Sequence, residues 1–425
     1  MTPQSKSRAD KTRQGGKQDS RECGACMRYV ARQPILDRRG RLHGYELLFR
    51  NGVDASFSGD GDLATRTMLD NSVMFGLEKL TGGVTAFVNC THESLTASLV
   101  DVMPPSMTVL EILEDLEPTP ELIEACRRLK VAGFRLALDD FVWRPGIEPL
   151  LALADYVKVD VRLTGPAERK LLLSRLSQYA VALIAEKVET SEEYQEVCAE
   201  GFTLIQGYYF CRPMLIKNRK VPANRFSQIE ILRLLHSDPV DLHKLGRLVK
   251  RDASLTYRLL RLINSPLFAV QQEVNSVERA LIVVGEDAFR HIATLAITSE
   301  LSAGQPEELL RMAFVRGRFC ELTALSCNLN STEQYLMGLL SLLPAMLQVP
   351  MEELTPALPL REEIRQALAG VPVPERCLLD WLLNHELGDW AACDVIVQSH
   401  ALDRKHLQSS YAEAMQWAES ALSSV

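Results

Sequence analysis

Between residues 28 and 213, short runs rich in strand-forming residues alternate with runs of helical period. That alternation limits the possible folds more than any other feature of the chain. The strand-like runs are YVARQPIL, GYELLF, TAFVNC, TVLEIL, FRLALDD, YVKVDV, VALIAEKV and TLIQGYYF. Between them LATRTMLDNSVMFGLEKL, PELIEACRRLKVAG, AERKLLLSRLSQYA and SEEYQEVCAEG carry apolar residues at helical spacing. Such β–α alternation predicts a parallel sheet. About eight strands within roughly 190 residues suit a closed, TIM-like (β/α) barrel better than an open sheet.

The pattern changes after CRPMLIKNRKVPANR, a basic stretch containing proline. Beyond it the period is almost wholly helical, as in SQIEILRLL, LHKLGRLVKR, ASLTYRLLRLI and AFRHIATLAITSEL, with Asp238-Pro239 and Asn264-Ser265-Pro266 as stops and starts. No fixed-length repeat is evident, so a helical bundle is expected rather than a solenoid. The expected order is a disordered polar leader over 1–26, a barrel over 27–215, a linker over 216–225 and a helical domain over 226–425. From residue 221 onward 18 basic face 25 acidic side chains, which accounts for −7 of the formal charge of −8. That balance argues against a nucleic-acid binder, and the basic cluster Arg247, Lys250, Arg251, Arg258 and Arg261 is expected to be a solvated face. No apolar run is long enough to span a bilayer and no hydrophobic signal core opens the chain, so a cytoplasmic protein is expected. Of the ten cysteines, Cys126, Cys198 and Cys320 fall in apolar stretches and are expected as buried thiols. Cys23 and Cys26 form a lone C-x-x-C, half of what a structural zinc needs, with no matching second pair.

In a β/α barrel, functional groups gather where the strands finish, because the βα loops leave from that end. Glu46, Asn89, Glu111, Asp139 with Asp140, Lys158, Glu186 and Gln206 all lie at or near such ends. One acid at a strand end is ordinarily just solvated, and so is an aspartate pair. A whole series on successive strands, among interior positions otherwise filled by Leu, Ile, Val and Ala, argues for one shared mouth. Carboxylates crowded there without counter-charge are costly, and hard divalent cations with oxygen ligands relieve that cost. Two such ions about 4 Å apart would activate a water and neutralise the phosphate in phosphodiester cleavage.

The ordered set YELLFR, FVN, EILE, ALDDF, VKVD, AEKVET and QGYYF resembles the EAL domain, a barrel that hydrolyses cyclic di-GMP. The family's name motif reads Glu46-Leu47-Leu48 here. The resemblance implies one Mg²⁺ or Mn²⁺ on Glu46, Asn89, Glu111 and Asp139, and a second on Asp139, Asp140 and Glu186. It further implies that Lys158 orients or activates the attacking water, that Gln206 and Glu189 support that centre, and that Gln33, Leu48 and Arg50 contact the dinucleotide. It also implies a homodimer, since the family dimerises through the loop that follows the aspartate pair.

Two departures from the family pattern bear on activity. The family's glycine- and serine-containing loop is replaced by Phe141-Val142-Trp143-Arg144-Pro145-Gly146, which cannot follow the same backbone path, and Glu114 is left without the loop it ordinarily anchors. Lys187 stands where the family has glycine, bringing an extra cation beside Glu186.

The helical half resembles the HDOD domain over RDASLTYRLLRLINSPLF and SVERALIVVGEDAFRHIATLAI, with a weaker match beyond about residue 300. It lacks the His-Asp dipeptide of HD hydrolases, and His236, His243 and His291 do not make up a ligand set, so a signalling or docking role is expected. Leu259, Leu260, Leu262, Ile263 and Phe268 are expected in its core. Three functions remain open: a cyclic di-GMP phosphodiesterase, a receptor that binds the dinucleotide without cleaving it, and a scaffold acting through a protein partner. The intact acid set favours the enzyme; Lys187 and the altered loop favour the receptor.

Overall fold

The computed structural model describes residues 29–50, 77–211, 223–237, 242–264, 274 and 276–422. The expectations for the leader with Cys23 and Cys26, for most of the 63–80 helix and for Asp238-Pro239, Ser265-Pro266 and Phe268 lie outside the described residues, as do those for the side chains of Arg50, His243, Lys250, Arg251 and Leu262.

Eight strands close into one barrel in chain order: β1 (Tyr29–Asp37), β2 (Leu42–Arg50), β3 (Thr85–Cys90), β4 (Thr108–Ile112), β5 (Arg135–Leu138), β6 (Tyr156–Asp160), β7 (Ala182–Glu186) and β8 (Leu204–Gln206). The helices α1 (Leu77–Thr81), α2 (His92–Thr96), α3 (Pro120–Val131), α4 (Glu148–Leu151), α5 (Pro166–Leu176) and α6 (Ser191–Glu200) connect β2 to β8. Their starts are written locally: Thr119 caps α3 ahead of Pro120, and Thr190 with Glu193 forms a capping box on α6.

The expected parallel sheet is found from β2 through β8 and is corrected at β1, which runs antiparallel to both β2 and β8. The reason is the turn Asp37–Leu42. Asp37 Oδ1 accepts from the backbone N–H groups of Arg39 and Arg41, and Gly40 takes φ +74°. A connection that short can join only antiparallel strands.

The barrel interior is layered. Ile35, Phe87, Val109, Ala137, Tyr156, Ile184 and Leu204 form one apolar layer. On β2 the layer is completed by Gly44, where a Cβ would fall 2.6 Å from the Thr85 carbonyl oxygen and 3.1 Å from the Phe87 ring.

The helical half consists of α7 (Ala223–Leu235), α8 (Leu242–Arg251), α9 (Ala253–Ile263), α10 (Val277–Val284), α11 (Glu286–Leu301), α12 (Glu307–Thr323), α13 (Ser331–Leu340), α14 (Leu343–Leu347), α15 (Met351–Leu354), α16 (Glu362–Leu368), α17 (Cys377–Leu387), α18 (Trp390–Ser399) and α19 (Arg404–Leu422). Leu259 and Ile263 are fully buried and Leu260 packs against the same core. Cys126 and Cys320 are buried, whereas Cys198 is only partly so. Arg247, Arg258 and Arg261 are exposed, as a solvated face requires.

The same β1 reversal explains how the two halves meet. A hairpin has no crossover helix, so the outward residues of β1 lack the cover that βα units give the other strands. Leu36 and Phe210 of the barrel belong to the core of the helical half. Beside them Tyr45 donates to both Glu308 carboxylate oxygens, at 2.9 and 2.8 Å, and Arg311 lies 2.7 Å from the same group. Arg32 stacks over Tyr45, its guanidinium carbon 4.4 Å from the ring centre, and reaches Glu419 at 3.5 Å.

Candidate active site

Strand residues two apart share a face, so counting two positions from the apolar layer toward the mouth predicts what stands above it. From Phe87, Val109, Ala137, Tyr156, Ile184 and Leu204 the count reaches Asn89, Glu111, Asp139, Lys158, Glu186 and Gln206. From Gly44 it reaches Glu46, and on the reversed β1 it runs backward from Ile35 to Gln33. The polar ring is therefore one further storey of the barrel.

Lys158 stands at its centre, fully buried. Its Nζ lies 3.0 Å from Glu46 Oε2, 2.7 Å from Glu111 Oε1, 2.8 Å from Asp139 Oδ1 and 2.9 Å from Glu186 Oε1. Asn89 donates to Glu46 Oε1 at 3.1 Å, and Gln206 Nε2 donates to Glu46 Oε2 at 2.6 Å and to Gln33 Oε1 at 3.1 Å.

Four carboxylates around one ammonium would, if all ionised, leave a large negative excess in a dry place. Burial pushes Glu111 well above the usual carboxylate range and Glu186 up to about 8, with neighbouring acids adding to the shift and Lys158 opposing it. Asp139 is raised by burial in the same way. Burial also acts on Glu46, but there Lys158 and the amides of Gln206 and Asn89 outweigh it and the carboxyl ends below its ordinary value. Burial alone would lower Lys158; the acids around it, Glu111 foremost, raise it well above an ordinary lysine. Such a ring takes up either protons or cations.

Asp140 does not join the ring. It turns aside at φ +35° and pairs with Lys187, itself at φ +57°, at 3.3 Å. Lys187 also reaches Asp160 Oδ2 at 2.5 Å, so its ammonium is engaged by the two aspartates, one of which, Asp160, is the strand neighbour of Glu186. Burial would lower Lys187, but Asp160 and Asp140 hold it above its ordinary value. Glu189 is likewise outside the ring and pairs with Arg162 at 2.5 Å. Leu48 is half-buried on β2.

Sequence reasoning passed over Asp160, although its parity with Tyr156 and Lys158 was a usable signal. It also passed over Arg144. That residue ties the altered loop down by donating to the Glu114 carbonyl oxygen at 2.8 Å and to that of Leu116, so a cation from the loop itself takes over the anchoring.

Among the described residues no group of three or more His, Cys, Asp and Glu side chains is by itself arranged to hold a metal ion, and the space between the acids belongs to Lys158. Yet Asn89 Oδ1, Glu111 Oε2, Glu186 Oε2 and Gln206 Oε1 are buried without hydrogen-bond partners. Unsatisfied buried oxygens of carboxylate and amide type, whose acids become anionic when a cation displaces their protons, are the donor chemistry of hard divalent ions. The ring fits such an ion once Lys158 gives up part of its grip.

A barrel with this mouth, followed by a helical bundle, defines the class: the chain belongs to the EAL–HDOD family. The EAL domain model matches residues 88–213 and the HDOD domain model residues 222–355, so the HDOD match takes in part of the stretch beyond residue 300 where the residues alone resemble the family more weakly. The chain is 32% identical over 400 residues to the uncharacterized protein YuxH of Bacillus subtilis, covering 92% of this chain and 97% of that one. It is 33% identical over 398 residues to the cyclic di-GMP phosphodiesterase CdgJ of Vibrio cholerae, covering 92% of each. Among solved structures, a calcium/cy-diGMP complex of Klebsiella pneumoniae BlrP1 is 25% identical, covers 44% of this chain and 56% of its own, and gives a TM-score of 0.36.

Proposed function

We propose that the barrel is a divalent-metal-dependent phosphodiesterase that opens cyclic di-GMP to linear pGpG, with the helical domain as its signalling and partner-docking module. The observation that carries this reading is the buried ring of Glu46, Glu111, Asp139 and Glu186 about Lys158, with oxygens left unsatisfied. The name of the Vibrio cholerae relative supports it. Glu46, Asn89, Glu111, Asp139 and Glu186 would hold Mg²⁺ or Mn²⁺, and Asp140 would reach a second ion only after leaving Lys187. When bound, such ions make a nucleophile from water near neutral pH and neutralise charge on the phosphate.

The chain's own residues do the rest. Gln206 and Asn89 fix the direction of the Glu46 carboxylate. Lys158 keeps a positive charge beside the scissile phosphate, where a dry mouth strengthens it, and orients the attacking water. Arg162 holds Glu189 at the rim. By the family resemblance, Gln33, Leu48 and Arg50 would contact the dinucleotide. Homodimerisation through the barrel, a cytoplasmic location and a division near residues 215–226 belong to the same reading; among the described residues no helix is long and apolar enough to cross a membrane.

The test is pGpG formation by wild type beside Glu46→Ala with Mg²⁺ or Mn²⁺. Turnover that disappears in Glu46→Ala is expected; none in wild type, with tight dinucleotide binding retained, would establish the receptor instead. The Lys187 clamp on Asp140 and Asp160 favours that second reading.

A further inference from the structure

The C-terminal turn of α17 reaches across from the helical half to the barrel rim. The Glu386 main-chain oxygen accepts from the Tyr208 hydroxyl at 2.5 Å and from Gln33 Nε2 at 3.5 Å. Gln33 Oε1 in turn accepts from Gln206 Nε2, the same nitrogen that donates to Glu46 Oε2. Two residues on, Gly388 sits at φ +74°, and a Cβ there would stand 3.0 Å from Leu48 Cδ1. The turn thus touches two of the positions assigned to the dinucleotide's seat, and one of them, Gln33, is linked through Gln206 to the Glu46 carboxylate.

The turn is held from within the helical half. The Glu386 side chain forms a buried two-point pair with Arg316, at 3.0 and 2.7 Å, and Arg316 also donates to Ser341 Oγ at 3.1 Å. Planar guanidinium and carboxylate groups joined in this way fix direction as well as distance, so the pair restrains the turn that carries the Glu386 carbonyl.

We infer that the Glu386–Gly388 turn is one wall of the dinucleotide seat, and that Glu386 and Gly388, held by Arg316, are positioning residues for substrate binding by the barrel. This rests on the phosphodiesterase reading above. A wall that meets Gln33 and Leu48 but not Lys158 acts on the extended dinucleotide and not on the phosphodiester itself. Its disturbance is therefore felt in KM and not in kcat.

Gly388→Asn tests this, because asparagine tolerates the left-handed backbone while its side chain pushes on Leu48. Arg316→Lys is the second variant; it keeps the buried charge but loses the two-point grip. Both are compared with wild type as full-length protein with Mn²⁺, on cyclic di-GMP and on bis(p-nitrophenyl) phosphate, a phosphodiester too small to touch the wall. Melting temperatures verify that each is folded. The expected result is a rise of about tenfold in KM for cyclic di-GMP, kcat within about threefold, and unchanged turnover of the small ester. A KM within about twofold of wild type in a folded variant overturns the inference, as does an equal loss on both substrates. Wild type that neither binds nor cleaves the dinucleotide removes the phosphodiesterase reading and this inference together; wild type that cleaves it beside unaffected variants removes this inference alone.

Discussion

Lys158 Nζ and Glu111 Oε1 lie 2.7 Å apart at the centre of the barrel, and neither side chain is exposed at all. A lysine there is the counter-ion of four acids at once. Lys158→Met leaves them buried without it, and breaking a buried pair by removing one partner costs about 3–5 kcal/mol. The variant is expected to lose more than about a hundredfold in turnover and to melt well below wild type in EDTA, with much of the melting temperature restored by Mn²⁺. Thermal melts with and without metal check this; equal melting in EDTA would mean that the acids are neutral and uncoupled.

Divalent metal should stabilise the wild-type protein itself. An ion that binds only the folded ring adds about 2.7 kcal/mol at a hundred times its Kd. Asp139→Asn, which removes a charge from the ring, is expected to abolish most of that gain. A melt that is the same in Mn²⁺ and in EDTA would exclude the metal site whatever the activity assay gives.

Lys187 and Asp140 make the opposite kind of prediction. Lys187→Gly releases Asp140 and Asp160 from a cation, and glycine accepts the φ of +57° at that position without strain. The Mn²⁺ concentration for half-maximal activity is expected to fall by about tenfold, the scale on which groups next to metal ligands act. An unchanged or weaker metal response would show that the clamp does not restrain the site.

Acid should destabilise the helical half through two histidines. Burial holds both His236 and His385 down to about 3, with Arg290 and His291 contributing at His236. The folded state therefore refuses a proton that the unfolded chain accepts near pH 6.5. Stability from each is fully present above pH 6.5 and is lost as pH falls toward 3, amounting to about 2 kcal/mol each by pH 5. His385→Phe, which keeps an aromatic ring between Trp381 and Tyr411, is expected to lose about one proton's worth of that slope. Urea midpoints at pH 7 and pH 5 for wild type and variant measure it; identical slopes would count against a buried neutral His385. The raised acids of the barrel oppose the trend equally in both proteins, so the difference isolates the histidine.

The barrel should not stand alone. Residues 1–215 without the helical half would expose Leu36, Tyr45 and Phe210 on the outside of β1, β2 and the segment after β8. Expressed by itself, that fragment is expected to aggregate or to bind apolar dyes. A soluble, cooperatively melting fragment would show that the inter-domain contacts are dispensable.

Much of the site was legible in the sequence because strands alternate their faces with a period of two. Asn89, Glu111, Lys158 and Glu186 fall at the mouth by parity alone, once Phe87, Val109, Tyr156 and Ile184 are recognised as interior. Parity does not say how a side chain turns after the strand has ended, and Asp140 lies beyond β5. Its backbone turns aside and its carboxylate meets Lys187, a residue 47 positions away. The reversal of β1 rests on the DRRGR turn, where Asp37 and Gly40 close a connection too short for a crossover, and the β–α alternation further along the chain carries no trace of it.

The linear order of residues by itself determined about eight strands alternating with helices, a helical half and a set of acids at strand ends, because strand and helix periods and caps are local properties. Tertiary structure alone decided that Lys158 rather than open space stands among those acids, that Lys187 claims Asp140, and that α17 from the far end of the chain meets Gln33 and Leu48. Each of those outcomes depends on distances between residues far apart in the chain, which closure of the barrel sets and no local pattern encodes.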